Sequence, residues 1–266
     1  MYVNYLNNNI YILLMFNMNF SRLHTTNNQS SNTESITNVF GMNNKIVLYK
    51  NLWYFPINDI GQTITKDFTP KGTTCEVLLN EFKDVPTNIS AYVKNKRVIV
   101  QAGGNVGIYV RQYATIFNKV YTFEPDPINF FCLTLNVSNQ NVSKFQACLG
   151  DTNECVSINN TSSTLGHGGT HVSKNVGDIP TFKIDNLNLS ICDLIHLDIE
   201  GYEKKAILGG IETIRKCKPV IVIENYGPWL NRYNTNLEEI ETILFGLGYI
   251  YVASVQGDRL YKHSDT

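Results

Sequence analysis

Three groups of residues in this chain have types and spacing suited to chemistry. They are the glycine turn Gln101-Ala102-Gly103-Gly104-Asn105-Val106-Gly107, the carboxylate Glu124, and the acidic pair in Asp198-Ile199-Glu200. Glycines carry no Cβ, so a backbone rich in them passes close to a bound molecule, and the opening turn of a helix offers unpaired N–H groups. A single carboxylate at the end of the next strand accepts hydrogen bonds from both hydroxyls of a ribose. Together these features predict a pocket for an adenosine-bearing cofactor, with Gln101, Gly103, Gly104, Asn105, Gly107 and Glu124 as its contacts. Asp198 and Glu200 are two residues apart, so they share a face while a strand persists. There they can hold a cation, bind an amino group or take a proton; alternatively they cap the helix that begins near Tyr202.

These groups must be carried by elements that end in the same place. The β-branched run Val98-Ile99-Val100 stops at the glycines, and Val120-Tyr121-Thr122-Phe123 stops at Glu124. Such runs broken by turn residues read as buried strands. The same reading gives strands at 98–101, 120–123, 143–147, 193–198, 219–224, 248–255 and 258–262, with helices near 107–117, 127–136, 202–215 and 236–246. Strands alternating with helices predict a mostly parallel sheet covered on both sides. Only Gln256-Gly257 separates the last two strands, too short for a parallel crossover, so they form an antiparallel hairpin. The predicted fold is therefore an α/β, Rossmann-like, seven-stranded sheet with a C-terminal antiparallel hairpin. That ending is typical of methyltransferases, whereas dinucleotide dehydrogenases usually keep six parallel strands.

Open α/β sheets bind their ligands at the carboxyl ends of the strands, which brings further residues into consideration. His196 is two residues from Asp198 and can accept a proton near neutral pH, although a strand histidine is often only packed and hydrogen-bonded in place. His167 and His171 bracket a glycine-rich stretch able to close over a substrate. Asp151, after the third strand, is placed to meet an adenine ring. Glu224 ends the fifth strand, and Tyr226, Trp229 and Tyr233 follow it as candidate walls of an acceptor pocket.

Size and composition narrow the function classes. A chain of 266 residues with 43% hydrophobic content buries one substantial core. A net charge of −1 and a pI near 6.5 argue against a nucleic-acid groove or an anionic membrane surface as the main partner. A small-molecule or glycan acceptor fits better. The six cysteines are scattered, without a CxxC pair, as expected of buried thiols in a reducing compartment. The apolar run at 10–16 is too short to span a bilayer and lacks the preceding positive charges of a secretory signal. A cytoplasmic location is expected.

Residues 1–45 are rich in Asn, Ser and Thr and are expected to be a disordered leader, with translation beginning naturally at Met42. Residues 46–96 read as an N-terminal cap, in which Val77, Leu78, Phe82 and Val85 share one face of a helix. Residues 97–266 form the main domain.

The ordered blocks Gln101 to Gly107, Phe123-Glu124-Pro125-Asp126-Pro127 with Leu135-Asn136, Leu197 to Glu203 with Leu208-Gly209-Gly210, and Ile223-Glu224 before Gly248-Tyr249 resemble the FkbM family of S-adenosylmethionine-dependent methyltransferases. The resemblance spans roughly residues 97–255. It implies S-adenosylmethionine as methyl donor and usually a hydroxyl of a sugar or natural product as acceptor. Two positions depart from the family pattern. Gln101 stands where Asp is usual, which passes the contact with the methionyl ammonium to Asp198, and His196 stands where Lys is common.

An alcohol is a weak nucleophile, so its methylation calls for a proton acceptor or a divalent metal. Asp198, Glu200 and His196 are the expected acceptor region, and the spacing leaves metal dependence open. Two rivals are an NAD(P)-dependent oxidoreductase, since Ala102 to Gly107 approximates G-x-G-x-x-G, and a non-catalytic cofactor-binding module.

Overall fold

The computed structural model describes residues 33–35, 46–50, 52–56, 62–64, 70–73, 79–80, 82–160 and 169–266. The chain first lays down β1 (Thr33–Ser35), β2 (Ile46–Tyr49) and β3 (Trp53–Pro56), which pair antiparallel in that order, and then the two-stranded pair β4 (Gln62–Ile64) and β5 (Pro70–Thr73). Helix α1 (Val85–Ser90) follows. The main sheet then begins with β6 (Val98–Ala102), α2 (Ile108–Ile116), β7 (Lys119–Phe123), α3 (Pro127–Asn136) and β8 (Val142–Phe145).

A short β9 (Cys148–Leu149) and the hairpin of β10 (Cys155–Asn160) with β11 (Thr170–Phe182) form a small separate sheet. The main sheet resumes after a 3-10 turn with β12 (Leu194–Leu197), α4 (Glu203–Leu208), α5 (Ile211–Cys217), β13 (Val220–Ile223), α6 (Gly227–Asn231), α7 (Leu237–Gly246), β14 (Tyr249–Val255) and β15 (Asp258–His263).

Seven strands run in the order β14-β15-β13-β12-β6-β7-β8. The pairs from β13 through β12, β6 and β7 to β8 are all parallel, and β15 is antiparallel to both β13 and β14. The expected sheet and its terminal hairpin are present. Parallel strands covered on both faces are apolar throughout. Val100, Ala102, Phe123, Ile195, Leu197, Ile221 and Ile223 pack on one side with Ala206, Ile207, Ile214, Ile240 and Leu244 of the later helices. Ile99, Val120, Leu194, Val220 and Val222 pack on the other with Ile89, Val110, Tyr113 and Leu133.

Local chemistry sets the element ends. Asp126 caps α3, its carboxylate accepting from the amides of Ile128 at 2.8 Å and Asn129 at 3.0 Å, with Pro127 in the first turn. The helix expected over 202–215 is broken into α4 and α5. A Cβ on Gly209 would stand 1.9 Å from the carbonyl oxygen of Gly150, so the glycine lets the backbone just after β9 lie directly against the break.

Of the leader, the structure describes Thr33–Ser35, which forms β1 on the edge of β2. In the cap, Leu79 and Asn80 are helical and Val85 opens α1, while Val77 and Leu78 lie outside the described residues. Ile46, Tyr49 and Phe55 pack against Val106 of the glycine turn and Cys132 of α3. Asn136 fastens this contact: it accepts from the Tyr54 amide at 2.8 Å and donates to the carbonyls of Tyr54 at 2.8 Å and Val106 at 2.7 Å. Among the described residues no helix is long and apolar enough to cross a membrane.

Candidate active site

The strand register brings the acidic residues to one edge. The last pairs of the parallel ladders are Ala102 with Phe123, Ala102 with Leu197, and Leu197 with Ile223, and Ile223 faces Arg259 on β15. One step beyond these pairs stand Glu124, Gly103, Asp198, Glu224 and Asp258, in that order across the sheet. The amides continue the ladders past the strand ends. Gly103 donates to Phe123 O at 3.0 Å, Asp198 to Ala102 O at 3.2 Å, and Glu224 to Leu197 O at 2.9 Å. Neighbouring strands lie roughly 4.8 Å apart, so carboxylates in adjacent rows feel one another.

The glycine turn is held by contacts within the protein. A Cβ on Gly104 would meet Thr122 Oγ1 at 2.9 Å and one on Gly107 would meet Val137 Cγ2 at 2.8 Å, so these glycines admit neighbouring side chains. The expected free amides are also engaged. Asn105 N donates to Glu124 Oε2 at 2.7 Å, Val106 N to the Asn105 side chain at 2.6 Å, and Gly107 N to Gly104 O at 2.9 Å. A turn this tight satisfies its own donors first.

Gln101 is likewise corrected as a direct contact: its side chain is wholly buried, its amide nitrogen donates to Ala102 O and Gly103 O, and its oxygen accepts from Thr122 at 2.5 Å. It shapes the turn from behind.

Glu124 bridges two loops, because its other oxygen accepts from Asp126 N at 2.9 Å. The Asn129 side chain is a third donor to the carboxylate, which, with about four acceptor sites, keeps room for one more. Burial pushes its carboxyl up to about 8 against the opposing pull of the Asp126 and Asn105 amides.

Asp198 is raised from the ordinary carboxylate range by burial and by the charge of Asp258, with His196 acting in the opposite sense. Glu200, at φ +58°, is raised to about 8 by burial and by Asp198, and its Oε2 is buried without a hydrogen-bond partner. Glu203 is fully buried at the start of α4 and is raised to about 7, again mainly by burial; its Oε1 accepts from Ile199 N at 3.1 Å and Gly201 N at 3.4 Å. Burial and the neighbouring carboxylates also raise Glu224. The Arg232 guanidinium donates to the Glu200 carbonyl at 3.2 Å and partly offsets the charge on that residue.

The remaining candidates separate. His196 is fully buried, shares the face of Leu194, and places Nδ1 2.9 Å from Tyr113 Oη and Nε2 3.5 Å from Asp258 Oδ2. It stands beneath Asp198 and is not open to an acceptor. His171 opens β11, is buried, and directs Nδ1 to Gly169 O at 3.1 Å; burial lowers its pKa, and Arg232 acts in the same direction. His167 lies outside the described residues.

Asp151 pairs with Lys205 at 2.8 Å on the surface, so its carboxylate is engaged away from the row. Tyr226 is exposed and meets Trp229 edge-on at 4.9 Å, while Tyr233 donates to Val172 O at 2.8 Å and braces β11. Asp258 was missed by the sequence reading, and its position beside Gly257 is that of an ordinary turn carboxylate. Its signal was the hairpin itself, whose pairing with β13 turns it toward the row.

A cleft of about 410 Å³ between Leu52, Arg111, Leu135 and Asn139 contains none of the candidate residues. Among the described residues no three His, Cys, Asp or Glu side chains group closely enough to hold a metal ion.

The model of the methyltransferase FkbM domain matches residues 101–251. The chain belongs to that family. Its FkbM domain contains Glu124, Asp198, Glu200 and Glu224, whereas Asp258 lies beyond the matched residues. No curated protein matches the sequence.

Among solved structures, the methyltransferase FkbM of Methylobacillus flagellatus is 16% identical, with 64% of this chain and 44% of that chain covered at a TM-score of 0.44. The chain thus spans less than half the length of that protein. A SAM-dependent methyltransferase of Aquifex aeolicus is 13% identical over 70% of this chain and 92% of that one, with a TM-score of 0.43. A Streptococcus mutans protein described as a putative methyltransferase in complex with SAH is 10% identical, over 66% and 92%, with a TM-score of 0.39.

Proposed function

We propose that this FkbM domain transfers the methyl group of S-adenosylmethionine to a hydroxyl of a sugar, glycan or small natural product. The observation that carries the reading is the row Glu124, Gly103, Asp198, Glu224 and Asp258 across the carboxyl edge of the sheet. The donor set fits such a cofactor. Glu124 has acceptor capacity left for a ribose hydroxyl, and the carboxylates from Asp198 onward favour a positively charged ligand. When bound, S-adenosylmethionine supplies an electrophilic methyl on a sulfonium whose charge disappears on transfer.

The chain's own residues do the rest by position and by proton transfer. Asp198, next to the glycine turn, faces the methionyl ammonium. Glu200, raised to about 8, is matched to taking the hydroxyl proton near neutral pH, where a well-placed base contributes about 10²- to 10⁴-fold in rate. Holding acceptor and donor in line contributes more, on the order of 7–11 kcal/mol. The exposed ring of Tyr226, on the loop after Glu224, and the half-buried Trp229 at the start of α6 offer apolar faces to a sugar ring.

The test has two stages. S-adenosylhomocysteine raises the unfolding midpoint and NAD does not, since only a ligand of the folded state stabilises it. Labelled methyl from S-adenosylmethionine is then incorporated into one or more members of a panel of sugars and polyols, and Asp198→Ala abolishes incorporation while circular dichroism is unchanged. Stabilisation by NAD instead of S-adenosylhomocysteine would assign the protein to the oxidoreductases. Cofactor binding with no transfer to any acceptor would leave a binding module.

A further inference from the structure

His196 is the centre of a contact set that the methyl-transfer reading leaves unused. Its ring is fully buried, stacks on Tyr109 with centroids 5.5 Å apart, and meets Tyr113 edge-on at 5.9 Å. The Tyr113 phenol is wholly buried and keeps its proton, its pKa held well above the ordinary value by burial and by Asp258 and Asp198. A protonated phenol 2.9 Å from Nδ1 can donate to that nitrogen, and the ring proton then sits on Nε2. Nε2 faces Asp258 Oδ2 at 3.5 Å, and among the described residues it has no hydrogen-bond partner. The hairpin of β14 and β15 thus brings a carboxylate to this ring from the side opposite Tyr113 Oη.

We propose that Asp258 is a positioning residue of the candidate site: by receiving the Nε2 side of His196 while Tyr113 holds the Nδ1 side, it ties the C-terminal hairpin to β12 and fixes the charge arrangement beside Asp198. The inference rests on the methyltransferase reading for its consequence and on the ligand-free geometry for the contact itself. Asp258 acts through its neighbours and touches no reacting atom. The ionisable groups facing Asp198 are Tyr109 and Tyr113 from α2, His196 on its own strand, Glu200 and Glu203 from the turn and α4, Glu224 from β13, and Asp258 from β15. Among these Asp258 exerts the largest charge effect on Asp198, and its negative charge makes Asp198 harder to ionise.

Two variants and two measurements test the proposal. Nitrogen-15 spectra of the imidazoles in ligand-free protein report which nitrogen of His196 carries the proton. Calorimetry with S-adenosylhomocysteine as probe, from acid to neutral pH, reports the ionisation of groups that touch the ligand.

Asp258→Asn keeps an oxygen acceptor for Nε2 but removes the charge. The Nε2–H signal is expected to remain, and the acid limb of binding that belongs to Asp198 moves to lower pH. The step belonging to Glu124, set by burial and by Asp126, stays in place. Asp258→Leu removes the oxygen facing Nε2, and the Nε2 resonance of His196 is expected to shift away from its parent position.

A parent-like His196 signal in folded Asp258→Leu overturns the proposal, as does an unmoved acid limb in Asp258→Asn. Should the leucine variant fail to fold, the asparagine variant decides alone. If the parent protein binds no S-adenosylhomocysteine, the proposed function fails, and the imidazole spectra of the ligand-free variants still decide whether Asp258 holds His196.

Discussion

The backbone carbonyl of Asp198 lies where a side chain on Gly103 would begin, 1.9 Å from the position of an ideal Cβ. The first glycine of the turn and the first catalytic candidate are thus in direct backbone apposition. Gly103 also has φ +83°, a conformation that costs any other residue. Gly103→Ala is expected to lose about 3 kcal/mol or more of stability, because neither the strand end nor the carbonyl can retreat within a packed sheet. Urea unfolding checks this, and a loss under about 1 kcal/mol would mean that the β6 and β12 ends move apart freely.

Glu124 accepts one backbone amide on each oxygen, from Asn105 and Asp126. Glu124→Gln sets an NH₂ group against one of those donors. The expected result is destabilisation by about 1–3 kcal/mol, together with at least a tenfold loss of S-adenosylhomocysteine affinity. Chemical unfolding and calorimetry read the two effects separately. Undiminished affinity would remove Glu124 from the cofactor contact and leave it as a loop brace.

Glu200 and Glu203 make stability pH-dependent in a defined direction. Their folded pKa values, about 8 and about 7, lie above the value of about 4.3 for a free Glu. The unfolded chain therefore releases these protons at lower pH than the folded one. Their contribution is fully present below about pH 4.3 and is lost as pH rises through 7 and 8. The unfolding midpoint of the ligand-free protein is expected to fall between about pH 5 and pH 8. Glu203→Gln, which keeps an oxygen for the amides of Ile199 and Gly201, flattens the slope in scanning calorimetry.

Asn136 ties the N-terminal strands to the cofactor turn through three hydrogen bonds with Tyr54 and Val106. Asn136→Ala is expected to cost about 1–3 kcal/mol, since buried donors and acceptors are left unpaired. Amide hydrogen exchange should quicken at Tyr54 and in the segment at 103–107, while the β12 and β13 amides keep their protection. Uniform acceleration across the sheet would point to global destabilisation in place of a local release.

The central strands of the main sheet were legible because burial on both faces makes them apolar runs, as in Ile221-Val222-Ile223, and the edge hairpin was legible from its short Gln256-Gly257 turn. The hairpin of β10 and β11 was not, because its apolar alternation is confined to Val156 and Ile158 on one strand and to widely spaced Val172 and Ile179 on the other. The break at Gly209 was hidden for a different reason: helical periodicity continues through it, and only the approach of Gly150 forces the interruption.

Within the candidate site, Glu124, Asp198 and Glu224 were legible as neighbours because each follows an apolar strand directly with a charge, and Glu200 because it lies two residues beyond Asp198. Gln101 was misread, since a polar side chain at a strand end looks the same whether it faces a ligand or, as here, Thr122 and the backbone of the turn. Asp258 was invisible because what makes it matter is register, and register is a property of two strands at once.

The row at the sheet edge begins at Gly103 and closes only with Asp258. A polypeptide emerging from the ribosome therefore carries the glycine turn and Glu124 long before it has a complete acidic edge, and the hairpin of β14 and β15 adds its carboxylate after all the others. The electrostatics of that edge are thus completed by the element that pairs antiparallel to the rest of the sheet.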